Sequence, residues 1–196
     1  MLARCGRIIV SNAQPAAQNT PTPENDTTVD TTYSPDGKYL IEGFGENYEE
    51  QFSGENVIKQ LRIVDADKRD TVWHMDGSFL LTAKPFTWTT DSKYVYIGYA
   101  GRVWKDGVIV DVTNMTEQHL PGIAELAPLL PDTTPDDNRP DPYIVPVQWL
   151  ENHTLQVSFS WRVKESVNDE DNRIHGEYEY NADTYEFSLM DEAGTS

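Results

Sequence analysis

The residues that could do chemistry in this chain are few and scattered. His74, His119, His153 and His175 share no H-x-H, H-x-x-E-H or H-E-x-x-H spacing, so none is set beside another as a metal ligand. Acidic residues are crowded instead. Asp132, Asp136, Asp137 and Asp141 fall in one Pro-rich stretch, and residues 168–172 (NDEDN) form a second cluster. Ca2+ takes about six to eight hard oxygen donors, which makes Asp136, Asp137 and Asp141 candidate calcium ligands. Neither stretch has the order of an EF-hand loop, and acidic loops that solvate a surface are the simpler reading. No G-x-S-x-G or S-x-x-K supplies a nucleophile, no Gly-rich loop cradles phosphate, and no cofactor is expected. Trp104 is the candidate binding residue. It lies between Gly101-Arg102-Val103 and Lys105-Asp106-Gly107, a turn signal that places an aromatic at a hairpin tip. Tyr94, Tyr96, Tyr99, Phe159 and Trp161 sit in strand-like runs and read as core.

Composition narrows the classes further. The 196 residues carry 15 Lys and Arg against 33 Asp and Glu, a formal charge of −18. Such a field repels phosphate, which argues against a nucleic-acid partner. No run of apolar residues is long enough to span a bilayer. At 38% hydrophobic and 11% aromatic, the chain can still build a core. Residues 1–30 read as a disordered tether, rich in Thr, Pro, Asn and Gln and without an aromatic. Its one cysteine, Cys5, follows Leu2-Ala3-Arg4, and that quartet resembles a bacterial lipobox. The resemblance implies lipidation of Cys5, an extracytoplasmic location and a signal peptide upstream of Met1. The alternative is a cytoplasmic protein with an idle thiol.

Residues 31–196 have the periodicity of strands. Leu155, Val157, Phe159, Trp161 and Val163 alternate with polar residues, as do Tyr178 and Tyr180, then Tyr185, Phe187 and Leu189, with a turn at Asn181-Ala182-Asp183. The one helical candidate is residues 122–130, interrupted by Pro128. Three segments, residues 31–41, 86–96 and 147–157, align without gaps. In each, an aromatic (Tyr33, Trp88, Trp149) precedes Asp or Asn by three residues (Asp36, Asp91, Asn152). The Asp or Asn suits a tight turn and the aromatic suits the end of a strand. Each copy then has a second strand closed by Asp or Asn, at Asp65, Asp111 and Asn181.

Residues 33–40, YSPDGKYL, resemble the WSPDGKxL signature of TolB-type β-propeller repeats, and residues 88–95 and 149–155 are looser copies. The resemblance implies an all-β domain of three propeller-like antiparallel repeats, about 31–85, 86–145 and 146–190. Copies begin 55 and 61 residues apart, so insertions fall at 45–56 and 121–142. A closed propeller takes about four to eight blades. Three repeats therefore make an incomplete propeller, a six-blade ring closed by a homodimer, or a β-sandwich of the same hairpins. The expected function is a non-enzymatic binding or interaction module for a protein or small ligand. Two alternatives stand beside it: a hydrolase whose acidic residues converge from different repeats, and a subunit that completes a propeller with a second chain.

Overall fold

The computed structural model describes residues 27–47, 56–130, 133–164 and 172–190. Among the described residues, eleven strands form one open sheet: β1 (Thr27–Tyr33), β2 (Tyr39–Asn47), β3 (Asn56–Asp65), β4 (Thr71–Trp88), β5 (Tyr94–Ala100), β6 (Lys105–Asp111), β7 (Thr116–His119), β8 (Tyr143–Trp149), β9 (Thr154–Arg162), β10 (Arg173–Asn181) and β11 (Glu186–Leu189). Their order is β1-β2-β3-β4-β5-β6-β8-β9-β10-β11, with β7 on β6. The fold is all-β and the sheet is not closed. The helical candidate becomes one short turn, α1 (Ile123–Leu126), run into a 3-10 turn over Ala127–Leu129. β1 takes in Thr27–Asp30, the last four residues of the stretch expected to be a tether; their β-branched Thr and Val suit a strand, and residues 1–26 lie outside the described residues.

The sheet divides into three four-stranded units by the pairing of its strands. β1 to the first half of β4 make the first unit. The second half of β4, from Leu80 on, pairs with β5 and opens the second unit, which continues through β6 and β7. β8 to β11 make the third, joined to the second by a single parallel bridge, Lys105 to Tyr143.

Hydrogen bonds at one end of the strands repeat from unit to unit. Ser34, Thr89 and Leu150 each donate their amide to the carbonyl of the residue opening the next strand, Tyr39, Tyr94 and Thr154. Ala66, Val112 and Ala182 each donate to the last residue of that first turn, Lys38, Lys93 and His153. The side-chain oxygens of Asp65, Asp111 and Asn181 each accept two amides of the following turn. The strand-ending Asp or Asn is thus a turn cap in all three copies.

These bonds correct the gapless alignment. In the first two copies the turn has five residues. Ser34 and Thr89 hydroxyls donate to Asp36 and Asp91, and Gly37 (φ 74°) and Ser92 (φ 63°) take left-handed geometry. In the third copy the turn has four, Leu150 to His153, with Asn152 (φ 55°) and His153 (φ 53°) left-handed in succession, a tight hairpin of the primed kind. Leu155 therefore matches Val95, one place on from the gapless match with Tyr94. Strand side chains alternate, so a shift of one residue exchanges the faces.

That exchange decides the packing. Val95, Ile97, Val108, Val110 and Val112 of the second unit are buried with Ile41, Ile58, Leu61, Ile63 and Trp73 of the first. Tyr94, Tyr96 and Ile109, from the opposite face of the same hairpin, are buried with Leu155, Val157, Phe159, Trp161, Tyr178 and Tyr180 of the third. The second unit is the middle layer and its β5 is apolar on both sides, as a strand covered twice must be. The unit-ending aromatics repeat as well: Trp88 stacks on Tyr39 and Trp149 on Tyr94, at 6.4 and 6.3 Å between ring centres. Tyr33, with no unit before it among the described residues, is 59% exposed.

Outside the stack the two ends differ. The outward face of β9 and β10 is polar, Gln156 beside Glu179 and Ser158 beside Glu177. On the first unit the outward face holds Leu40, Phe44 and Val64 around a Glu42–Arg62 ion pair at 2.8 Å.

Candidate functional site

At the end of the stack opposite the turns, the β5–β6 hairpin, the chain entering α1 and the start of β8 border an open cleft of about 370 Å3. Trp104 lines it, together with Tyr99, Lys105, Asp106, Gly122, Pro142 and Ile144; the Lys105 ammonium lies over the Tyr143 ring, 5.4 Å from its centre. Trp104 stands at the hairpin tip, where its carbonyl accepts the Gly101 amide at 3.0 Å. A Cβ on Gly101 would lie 2.4 Å from the indole nitrogen, so only glycine lets the ring fold back over the tip. Tyr99 meets the indole edge to face, centres 5.9 Å apart at 84°.

Asp106 is the one carboxylate among the described residues lining this cleft. Burial raises its pKa, against an opposing hydrogen bond from the Gly107 amide at 2.7 Å and the field of His119. Burial also pushes the Tyr99 hydroxyl up to about 12, so it stays a neutral donor. The sequence pointed to Trp104 through its turn context. Asp106 was visible only as part of that turn signal, because desolvation of a carboxylate has no mark in sequence. Gly122 and Pro142 come from the insertion between the second and third copies, whose path no periodicity gives, and Ile144 from the start of β8.

The calcium candidates do not converge. Asp136 caps its own turn by accepting the Asn138 and Arg139 amides, Asp137 pairs with Lys164, and Asp141 is buried against Arg139 at 3.1 Å and Arg162 at 3.3 Å. Their charge is met by cations of the same chain, and among the described residues no three ligating side chains form a group that could hold a metal. Asp132, the cluster at 168–171 and Cys5 lie outside the described residues. Among the four histidines, His153 alone bridges carboxylates of two units.

No protein-family model matches the chain, and no curated protein matches it. Among solved structures the chain is similar to TolB from Acinetobacter baumannii, at 10% identity and a TM-score of 0.35. The match covers 86% of this chain and 33% of that one, so the chain spans about a third of that protein's length. It is a distant structural similarity. Among the described residues, no helix is long and apolar enough to cross a membrane.

Proposed function

We propose that the chain is a non-enzymatic binding module, and that its ligand is a small organic cation with an apolar body, held in the cleft between the second and third units. One observation carries this reading: a half-buried carboxylate, Asp106, lines an open cleft together with the rings of Trp104 and Tyr99. A cation in that place gains a charge-assisted hydrogen bond from Asp106 and attraction to the aromatic rings, while its apolar part fills the space beside Ile144 and Pro142. The charge of −18 favours the approach of cations over anions. A hydrolase of the paired-carboxylate kind would need a second acid facing the cleft. Export, with a lipid on Cys5, belongs to the same proposal and rests on the lipobox-like quartet alone.

Phenethylamine and phenylpropionate, alike in size and opposite in charge, serve as probes. At neutral pH the amine is expected to shift the Trp104 indole N–H resonance and to bind at least about tenfold more tightly than the carboxylate. Asp106→Asn should remove that preference, and Trp104→Ala should weaken the amine further. Equal binding of both probes, or amine binding indifferent to Asp106→Asn, would contradict the reading.

A further inference from the structure

We infer that His153 is a proton-dependent tie between the second and third units. Its imidazole lies between two carboxylates from different turns: Nδ1 is 2.7 Å from Asp183 and Nε2 is 2.9 Å from Asp91. A neutral imidazole carries one N–H and can donate to only one of them; both bonds exist together only in the imidazolium. The tie is therefore complete only while His153 holds its second proton.

The other charged and titratable groups around it are known. From the turn before β5 come Asp91 and Lys93, from β5 Tyr94, and from the turn after β10 Asp183. Lys93 Nζ donates to Asp183 at 2.6 Å and the Tyr94 hydroxyl donates to it at 2.8 Å, while the Tyr94 ring meets the imidazole edge-on at 5.1 Å. Asp183 is thus shared by three donors and stays ionised. Lys93 first, then His153 and Tyr94, hold its carboxyl well below the usual range. Asp91 is also held low: burial opposes, but the Thr89 hydroxyl, the Lys93 amide and His153 outweigh it. His153 is raised, first by its bond to Asp183, against burial, and then by Asp91.

The direction of the pH effect follows from this. Folded His153 binds its proton more tightly than the unfolded chain does, so its contribution is full below the ordinary histidine value of about 6.5 and is lost as pH rises through the folded value. Above that, Lys93 and Tyr94 still hold Asp183, and one of the two imidazole bonds is given up. The position corresponds to Lys38 and Lys93 in the other units. The third unit alone, among the described residues, places a histidine there.

The test uses the full chain. His153 is expected to titrate by NMR above about 6.5, and Asp91→Asn to lower that value by removing one acceptor. The folding constant of the wild type relative to His153→Gln should fall with rising pH, about tenfold for each pH unit by which the folded value exceeds the ordinary one. Titration at or below the ordinary value, an Asp91→Asn protein with unchanged His153 titration, or a wild-type-to-Gln ratio that is flat across this range would each overturn the tie. The Asp91→Asn measurement stands even if His153→Gln does not fold.

Discussion

Trp161→Ala is expected to lower the unfolding free energy by about 3–5 kcal/mol, the range for removing a large aromatic from a close-packed core. Trp161 has no solvent exposure. Its ring stacks on Phe159 at 5.1 Å between centres, and its indole N–H donates to the Thr133 carbonyl at 3.3 Å. Truncation therefore opens a cavity in the layer between the second and third units and leaves that carbonyl without its donor. Trp161→Phe keeps most of the volume and should cost clearly less. Urea unfolding followed by far-ultraviolet circular dichroism measures both. A loss below about 1 kcal/mol for the alanine variant would mean that Trp161 does not fill this layer.

Gly107→Ala is expected to destabilise through the opposite fault. Gly98 and Gly107 pair across β5 and β6, and the Tyr96 ring lies over both. A Cβ on Gly107 would sit 2.3 Å from the Tyr96 hydroxyl oxygen and 2.4 Å from the ring carbon that bears it. Tyr96 has no solvent exposure, so the ring has nowhere to swing. Overpacking of this kind costs about 1–3 kcal/mol. In a Tyr96→Leu background the same added methyl group should cost much less, and the difference between the two backgrounds isolates the clash. Equal costs in both would show that the ring does not lie over this glycine.

Much of this architecture was legible in the sequence because β-strands announce themselves by alternation. The burial of Leu155, Val157, Phe159 and Trp161 on one face followed directly from their spacing. The aromatic-to-Asp motif marked the three unit starts because each part has a local role: Asp36 and Asp91 organise their turns, and Trp88 and Trp149 stack on the unit before. Turn length was not legible. Asn152-His153 reads equally well as part of a five-residue or a four-residue turn, and only the pairing of Trp149 with Leu155, against Trp88 with Val95, fixes the count. The tie at His153 was hidden for a related reason. Asp91, His153 and Asp183 are far apart along the chain, and they meet only because turns of neighbouring units stack. The cleft was half legible, through the turn signal around Trp104, while its far wall comes from an insertion without periodicity.

Three like units stack with the second in the middle, the third having a turn one residue shorter than the others. Nuclear Overhauser contacts from the Leu155 and Val157 methyl groups test it most directly. They are expected to reach the rings of Tyr94 or Tyr96, alongside ring-to-ring contacts of Trp149 with Tyr94 and of Trp88 with Tyr39. If those methyl groups instead contact only the polar side chains of the outward face, Gln156 and Glu179 among them, the third unit has the opposite phase and the stack does not exist in this form.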